Sequence, residues 1–492
     1  MSDDIYARLG VRPFINCCGT RTVHGGSLML PQVTKAMVEG ADRFVSLNEL
    51  ILAAGRRIAE LTGSEAALVT SGGAASLVAA SAAAMTKGDP ERMLRLPDSA
   101  GLPAKVVMPE GARFTYDHAI RTAGARMVQV RDRKALDEEL RSGVAMIATI
   151  GTKDADLPLR LEDCVAAAAP HGIPVLVDAA SEHLEKPSPY LARGASFVAY
   201  SGGKYLKGPQ STGLLLGKRP WIEAARLNAA PHHAIGRPMK VSKEEVLGLL
   251  AAVEFWADGR DHAAEKAKWT RDLEAIAGHV RRIAGVNAEL LPPSRSHEQA
   301  PRLKIAWDRA NTGLDGLGLR ELLLAHDPKI MLDDRGATEN SVFILPFSLE
   351  PGEAEIVGSA IAKALDTTPA TKAVAVEPPA GDVSGLWIVD IAFAAETTPH
   401  RVRLSQSGST LRGVHTTLDL VGPVDGTIAG SHVAFASLHP YEGSNLSYAF
   451  TGTLADGRMS GTVLLGTSGD SAPGPLNMRE FGSASWQARR LV

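Results

Sequence analysis

The chain has 492 residues, 45% of them hydrophobic and 22% charged, so it can fold into more than one domain and bury a large core. A formal charge of −3 argues against a nucleic acid as partner, because such binding normally needs a concentrated basic face. The three cysteines form no disulfide framework and no apolar stretch reaches membrane-spanning length, so we expect a cytoplasmic protein without a membrane partner.

Residues from about 55 to 220 alternate between helical and strand-like patterns. The predicted helices are Ala53–Leu61, Ala74–Met85, Tyr116–Ala123 and Leu161–Ala169. The predicted strands are Ala66–Thr70, Lys105–Met108, Arg126–Val130, Ala145–Thr149, Ile173–Asp178, Ala195–Tyr200 and Gly213–Leu216. This βα alternation predicts a three-layer α/β sandwich, with helices on both faces of a mostly parallel sheet. The apolar strands fit burial on both faces.

A connecting helix and a smaller unit follow. Residues Glu244–Trp256 place apolar side chains at helical spacing and predict the connecting helix. Strands at Leu303–Trp307 and Ser341–Leu345, with a helix at Gly352–Leu365, predict a small α+β subdomain.

The composition changes after residue 365. Residues 366–384 are rich in Pro, Thr and Ala and predict a linker. Beyond it the pattern has period two with frequent glycine, which predicts an extra antiparallel β domain, a barrel or a sandwich. The expected bulges or tight bends in that domain are at Gly413, Gly426, Gly452 and Gly461.

We therefore predict five parts. An N-terminal arm covers residues 1–50, a large cofactor-binding domain 51–265, the small subdomain 266–365, the linker 366–384 and the β domain 385–492. Trp387 and Trp486 are expected to pack in the core of the β domain rather than to bind sugar.

A glycine-rich loop that carries a lysine is the most informative motif. Ser201-Gly202-Gly203-Lys204 follows one predicted strand, and the strand before that one ends at Asp178. Enzymes that use pyridoxal 5′-phosphate (PLP) hold this cofactor with such a pair, because the lysine forms a Schiff base and the acid pairs with the ring nitrogen. We predict these roles for Lys204 and Asp178. Lys207 is the rival lysine, and the alternatives are a solvated lysine and a helix-capping aspartate.

Three further groups are candidates for binding the cofactor. Ser71, Gly72 and Gly73 join a buried strand to an alanine-rich helix, where backbone N–H groups and a hydroxyl can cradle a phosphate. A plain helix cap is the alternative, and Thr212 is predicted to add a second hydroxyl. Tyr116, with Phe114 as the alternate, is predicted to stack on the pyridine ring or else to pack at the sheet edge.

Candidate substrate-binding residues come from three segments. Arg237 and Lys240 form a basic cluster that could bind a carboxylate or phosphate, with a solvated helix start as the alternative. Arg335 is a further carboxylate candidate, and His24 is expected to reach the site from a mobile N-terminal arm. No metal is expected.

These segments together resemble the selenocysteine-synthase-like family of fold-type-I PLP enzymes, which includes D-glucosaminate-6-phosphate ammonia lyase. The resemblance is carried by Tyr6–Val11, Ile15–Thr20, Gly25–Met29, Ala54–Ala59, Val69–Gly72, Tyr116–Arg121, Pro174–Ala180, Ser201–Lys204, Gly208–Gln210 and Gly236–Lys240. It implies an aminotransferase-like fold, Lys204 as the covalent attachment point and Asp178 at the pyridine nitrogen. It also implies active sites at a subunit interface, and hence a homodimer or a larger homo-oligomer.

We predict a PLP-dependent lyase of the ammonia-lyase or dehydratase type. It would act at Cα and Cβ of a small amino acid or amino sugar acid, by α,β-elimination that releases ammonia and a keto acid. A racemase, an epimerase or an aldolase is the alternative, because cofactor motifs do not report the leaving group. A selenocysteine-synthase-type transferase and a non-catalytic binding protein are less favoured. The shared motifs begin within ten residues of Met1, so we expect no N-terminal tRNA-binding domain, and the presence of both Lys204 and Asp178 argues against a non-catalytic protein.

Overall fold

The computed structural model describes residues 4–294, 299–308, 312–367, 377–468 and 481–491. The chain divides into two compact units. The first comprises Met1–Ala306, Gly318–Asp333 and Phe343–Leu365, and the second comprises Trp307–Leu317, Asp334–Val342 and Asp366–Val492. The five-part division made from the sequence stays a prediction.

A seven-stranded sheet forms the core of the first unit. The chain first makes a short strand of another sheet, β1 (Phe14–Cys17). The main sheet then contains β2 (Ala66–Thr70), β3 (Lys105–Pro109), β4 (Arg126–Val130), β5 (Val144–Ile150), β6 (Val175–Asp178), β7 (Phe197–Ser201) and β8 (Gly213–Gly217). Their order is β2-β8-β7-β6-β5-β3-β4, and β8 runs antiparallel to both of its neighbours. Every residue of β2, β6 and β8 is buried, as the apolar runs predicted.

Twelve α-helices precede residue 286 in the described residues, and several of them pack on this sheet. They are α1 (Ile5–Arg8), α2 (Pro31–Ala41), α3 (Leu47–Thr62), α4 (Gly72–Thr86), α5 (Pro90–Arg95), α6 (His118–Thr122), α7 (Arg133–Glu139), α8 (Leu161–Ala168), α9 (Pro189–Ala192), α10 (Arg219–Asn228), α11 (Lys243–Asp258) and α12 (His262–Val280). The alanine-rich α4 is buried at every residue from Ala75 to Thr86, because α10 covers it on one side and the sheet on another. An apolar helix without a polar face needs such burial.

One predicted helix starts later than expected. The segment around Tyr116 forms a 3-10 turn, Thr115–Asp117, and α6 begins only at His118. The buried carboxylate of Asp117 accepts hydrogen bonds from the Arg113 side chain and from the backbone N–H of Phe114. This local bonding competes with the helical pattern and delays the helix.

A second sheet has five strands in the order β1-β11-β12-β10-β9. Its other strands are β9 (Val286–Leu291), β10 (Arg302–Trp307), β11 (Lys329–Thr338) and β12 (Ser341–Ile344), with α13 (Gly316–Ala325) and α14 (Glu353–Thr367) between and after them. Within the described ranges, no helix is both long and apolar enough to cross a membrane.

The chain ends in a closed eight-stranded antiparallel barrel, which settles the choice between barrel and sandwich. Its strands are β13 (Gly385–Ala392), β14 (Thr397–Ser407), β15 (Thr410–Thr416), β16 (Val421–Ala429), β17 (His432–Tyr441), β18 (Ser444–Ala455), β19 (Arg458–Ser468) and β20 (Ser483–Arg490). Each strand pairs with the next, and β20 returns to β13. Trp387 and Trp486 are each 1% exposed and pack in the barrel core, as predicted.

The four glycines singled out in this domain lie where neighbouring strands come close together. A Cβ added at Gly413 would lie 1.9 Å from the carbonyl oxygen of Arg403, and one at Gly461 would lie 1.9 Å from that of Thr451. The pairing continues through Gly413, Gly426, Gly452 and Gly461 without a change of register. The expectation of bulges is therefore wrong, and these positions are close approaches of continuous strands.

Candidate cofactor site

Three loops meet at one edge of the main sheet because of how its strands run. Strands β2 and β7 are both antiparallel to β8, so their last residues, Thr70 and Ser201, both pair with Gly213. Strand β6 is parallel to β7, and its last residue, Asp178, pairs with Ala199. The loop that carries Lys204 therefore leaves the same edge as Asp178 and the turn that starts α4. Ligands of open α/β sheets bind at this edge.

The lysine loop is folded tightly back on itself. The backbone N–H of Gly202 donates to the carbonyl of Thr212 at 2.8 Å, and the N–H of Gly208 donates to the carbonyl of Gly202 at 2.9 Å. A Cβ at Gly203 would lie only 2.3 Å from Cα of Gln210. Glycine is required where two backbone segments approach this closely. The loop therefore presents Lys204 from a constrained turn.

The two lysines of the loop have different surroundings. The side chain of Lys207 forms an ion pair with Glu265 at 3.1 Å and lies over the ring of Phe347. Lys204 is half-buried, and its charge acts on the carboxyl group of Asp178. These surroundings favour Lys204 over its rival, because the charge of Lys204 acts on the carboxyl group predicted to pair with the cofactor, whereas Lys207 is paired with Glu265 of α12.

Asp178 combines burial with a nearby positive charge. It is 8% exposed, and its Oδ1 accepts a hydrogen bond from the backbone N–H of Ala180 at 2.8 Å. Burial raises the pKa of Asp178, while the Ala180 hydrogen bond and the charge of Lys204 act in the opposite direction. A buried carboxylate at a strand end is suited to pair with a protonated ring nitrogen.

The turn that starts α4 offers unused hydrogen-bond donors. The Ser71 side chain makes no capping hydrogen bond, and the first turn of α4 contains no acidic residue. Gly72 has φ of +78°, and a Cβ there would meet only the carbonyl oxygen of Ser211, at 4.0 Å. A Cβ at Gly73 would lie 3.6 Å from Cβ of Ala180, so the turn opens beside the Asp178 strand end. This donor set, with Lys204 and Asp178 near it, fits PLP.

The N-terminal arm is fixed to the lysine loop, which differs from the mobile arm expected. The backbone N–H and hydroxyl of Ser27 donate to the carbonyl of Gly203 at 2.9 and 3.0 Å. The Gln210 side chain donates to the carbonyl of Thr22 at 2.9 Å. His24 is half-buried, and its ring lies edge-on to Phe14 with centroids 5.3 Å apart. A role for His24 toward substrate stays a prediction.

Thr212 and Tyr116, both predicted to contact the cofactor, differ from expectation in their hydrogen bonding and exposure. The hydroxyl of Thr212 is fully buried and donates to the carbonyl of Pro209 at 2.6 Å, so it is engaged within the loop. Tyr116 is 59% exposed, whereas Phe114 is 5% exposed and belongs to the apolar core. The phosphate role of Thr212 and the stacking role of Tyr116 stay predictions.

Arg237 and Lys240 lie on the segment between α10 and α11. They line a cavity of about 590 Å³ together with Leu94 and Leu96, which lie in and just after α5. This segment is tied to the C-terminal end of α4, because Asn228 donates to the hydroxyl of Thr86 at 3.1 Å. The same segment leads into α11, whose Glu245 accepts hydrogen bonds from the N–H of Ser242 and from the hydroxyl of Ser211 beside the Ser71 turn. The substrate-binding roles of Arg237 and Lys240 stay predictions.

Arg335 is the remaining candidate. The side chain of Arg335 lies outside the described residues, so its predicted role is untested. Among the residues that the structure describes, no group of three or more His, Cys, Asp or Glu side chains could hold a metal ion.

Sequence reasoning missed the residues that hold the lysine loop in place. Ser27 contacts the loop from more than 170 positions away, and Glu265 reaches it from the start of α12. The adjacent Gly25 and Gly26 were a usable signal, because a Cβ at Gly26 would lie 2.7 Å from the carbonyl oxygen of Gly203. Nothing in the local pattern around Glu265 marks its partner.

Comparison with known proteins gives three relevant relatives, and no family model matches the chain. A D-glucosaminate-6-phosphate ammonia lyase from Salmonella typhimurium is 32% identical over 301 residues, which cover 59% of this chain and 79% of that protein. A 5′-C-glycyluridine monooxygenase-decarboxylase from a Streptomyces species is 33% identical over 370 residues, covering 72% and 90%. An L-seryl-tRNA(Sec) selenium transferase from Solidesulfovibrio magneticus is 25% identical over 410 residues, covering 72% and 82%.

A solved structure of a protein with the same name as the first of these relatives is similar to this chain. The structure of a D-glucosaminate-6-phosphate ammonia-lyase is similar with a TM-score of 0.66 and 27% identity. The match covers 75% of this chain and all of that chain.

Proposed function

Since the chain belongs to the selenocysteine-synthase-like family of fold-type-I PLP enzymes and is a PLP-dependent lyase, we propose that it releases ammonia from an amino sugar acid or a similar small hydroxy amino acid. The observation that carries this proposal is the placement of Lys204 and Asp178 at one sheet edge, where the charge of Lys204 acts on the buried carboxyl group. The relative that is 32% identical is named for this type of reaction.

Each residue of the site has a separate task in this proposal. When bound, PLP supplies an electron sink for the electron pair released at the substrate Cα. Lys204 would hold the cofactor, and its Nζ, once free, would accept the Cα proton of the substrate. The carboxylate of Asp178 holds the proton on the ring nitrogen. Ser71 and the backbone N–H groups of Gly72 and Gly73 bind the phosphate.

The overall reaction balances without an oxidant. A β-hydroxy amino acid loses the Cα proton and the β-hydroxyl group as water. The resulting enamine then takes up water at Cα and releases ammonia, which leaves a keto acid. The β-hydroxyl can leave because the proton removed from Cα can be returned by Nζ of Lys204 as general acid.

A second candidate reaction is favoured by the relative that is 33% identical over 90% of its length. That protein is named a monooxygenase-decarboxylase, so the bond broken at Cα would be the one to the carboxylate, with dioxygen as co-substrate. The same Lys204 and Asp178 could serve both reactions, because the residues that hold the cofactor do not select the bond that breaks.

We also propose that the chain acts as a homodimer or a larger homo-oligomer on a small-molecule substrate. Several large apolar side chains of the N-terminal region are exposed in the single chain. They are Val23, Leu28, Met29, Phe44 and Val45. Large apolar side chains exposed in one region of the chain favour a protein–protein interface there. Light scattering of the purified protein measures the mass, and a strictly monomeric active enzyme would contradict this part. The cytoplasmic location stays a prediction.

The test is a substrate screen with a blank that lacks the cofactor lysine. The purified chain is given PLP and then D- and L-amino acids and amino sugar acids, with and without a phosphate, in air and without oxygen. The Lys204→Ala variant is the blank. Oxygen-independent keto acid and ammonia support the proposal, and oxygen-dependent release of carbon dioxide supports the second candidate. Loss of optical activity alone supports a racemase, and a protein that stays colourless with PLP refutes the assignment.

A further inference from the structure

The backbone at Lys207 is held in a conformation that L-residues rarely adopt. Its φ is +54°, in the left-handed region, and its N–H donates to the carbonyl of Lys204 at 3.0 Å. A non-glycine residue persists there only when its surroundings hold it, and such residues cluster at functional sites. The turn that follows Lys204 therefore depends on contacts from outside the loop.

Glu265, near the start of α12, makes the main contacts of this kind. Its carboxylate binds Lys207 Nζ at 3.1 Å and Arg260 Nη2 at 2.7 Å. The exposed fractions of the side chains are 16% for Glu265, 5% for Arg260 and 24% for Lys207. Ion pairs that are mostly shielded from water are screened little by solvent and salt, and here one carboxylate binds two cations at once.

Arg260 extends this contact to the residue next to Lys204. Its Nη1 donates to the carbonyl of Tyr205, and its guanidinium group lies 4.1 Å above the Tyr205 ring. The Tyr205 hydroxyl lies 2.6 Å from Nδ1 of His262, whose Nε2 is 3.2 Å from the carbonyl of Trp256. Since that carbonyl can only accept, Nε2 carries the proton and Nδ1 accepts from the hydroxyl. Tyr205 is thereby fixed through its backbone, its ring and its hydroxyl.

The loop is also held on the other side of Lys204. The carbonyl of Gly203 accepts two hydrogen bonds from Ser27, and the carbonyl of Lys207 accepts one from the N–H of Leu30 at 3.2 Å. Residues 203, 205 and 207 are thus anchored by separate parts of the chain. The position of Lys204 between them is set by these anchors.

We propose that Glu265 is a positioning residue for Lys204. It binds Lys207 and Arg260 at once, which maintains the left-handed turn and the fixed Tyr205, and this orients the lysine that carries the cofactor. The proposal rests on the proposed function. Without the negative charge of Glu265, Lys207 and Arg260 would repel each other and the turn after Lys204 would relax.

The test compares Glu265→Gln with Glu254→Gln as a matched control. Glu254 lies on α11 and pairs with Arg57 at the surface, 45% exposed, away from the loop. Hydrogen exchange of the peptide 202–212 is measured in the cofactor-free proteins. PLP affinity, visible circular dichroism per bound PLP, and kcat and KM follow in the loaded ones.

We expect only Glu265→Gln to change these readouts. Exchange of the loop peptide becomes faster, PLP binding weakens about tenfold, and the visible dichroism falls. The value of kcat falls about 100-fold while KM changes little, as expected when a reacting group is misplaced by about 1 Å. Glu265→Asp, which keeps the charge, restores part of each loss.

Two further variants separate positioning from general stability. Adding Lys207→Met to Glu265→Gln should cause no further loss, because both changes remove the same contact. Multiplicative losses in the double variant would overturn the proposal, as would a Glu265→Gln protein that behaves like Glu254→Gln. If Glu265→Gln does not fold, Glu265→Asp and Lys207→Met carry the same comparison. A wild-type chain that binds no PLP overturns the proposed function and this inference together. If the wild type binds PLP and releases keto acid, but Glu265→Gln changes none of the readouts, only this inference is overturned.

Discussion

Mild acid should destabilise the C-terminal barrel, because three histidines are buried in its interior. His400, His415 and His439 are 3%, 0% and 0% exposed. They form a chain in which His400 Nδ1 lies 2.9 Å from His415 Nε2, and His415 Nδ1 lies 3.1 Å from His439 Nε2. Ser437 lies 2.7 Å from His415, and the Tyr448 ring packs edge-on against all three imidazoles. A proton added to this chain would place a charge among buried neutral groups.

The size of the effect follows from the pKa of His400. Burial, with a smaller effect of His439, lowers the pKa of His400 from 6.5 to about 4. Between these two values the unfolded chain binds the proton and the folded chain does not. The contribution of His400 to the free energy of unfolding is therefore fully present above pH 6.5 and is lost progressively down to pH 4. The full difference is about 3 kcal/mol, of which about 2 kcal/mol is lost by pH 5. Burial also lowers the pKa of His415 and His439, which adds loss in the same direction.

Hydrogen exchange of the intact protein measures this loss. Peptides from β14, β15 and β17 should exchange at least about 30-fold faster at pH 5 than at pH 7.5, after correction for intrinsic rates. His400→Gln should reduce this pH dependence, whereas His432→Gln should not, because His432 lies exposed at the start of β17. Equal protection at both pH values, or an unchanged dependence in His400→Gln, would refute the reasoning.

Three substitutions test the lysine-loop site. Asp178→Asn keeps the shape but removes the charge, so keto-acid release should fall at least about 100-fold with PLP still bound; normal turnover would contradict the ring-nitrogen role. Gly203→Ala places a Cβ 2.3 Å from Cα of Gln210, so it should lower the free energy of unfolding by about 1–3 kcal/mol and weaken PLP binding. An unchanged melting temperature would contradict this, because it would show that the loop can relax. Ser27→Ala removes the hydroxyl contact with Gly203 and should destabilise the first unit by about 1 kcal/mol, measured in urea, a result that a Thr22→Ala control should not share.

The sequence was sufficient for the parts of the fold that repeat a local pattern. All seven strands predicted between Ala66 and Leu216 are present, because most of them are buried and appear as short apolar runs between turn residues. The β domain was recognisable from its period-two pattern, but closure into a barrel depends on β20 pairing with β13 across the whole domain. Pairings between distant strands leave no local signal.

In the candidate site, the residues at strand ends were predictable from the sequence, but the contacts between distant elements were not. Lys204, Asp178 and the Ser71 turn follow strand ends, and the carboxyl ends of such strands meet at one edge. The cavity that Arg237 shares with Leu94 depends on how the segment before α11 packs against α5, which the local pattern around Arg237 does not contain. The ion pair of Lys207 with Glu265 joins residues on different elements and could not be predicted from either.

Borohydride reduction followed by peptide mapping tests the assignment of the cofactor lysine most directly. The reagent fixes bound PLP permanently to the amine that holds it, and mass spectrometry then identifies the modified residue. The predicted result is a single label on the peptide that contains Ser201–Lys204, located on Lys204 and absent in Lys204→Ala. A label on Lys207 or on any lysine outside this loop, or none after incubation with PLP, would contradict it.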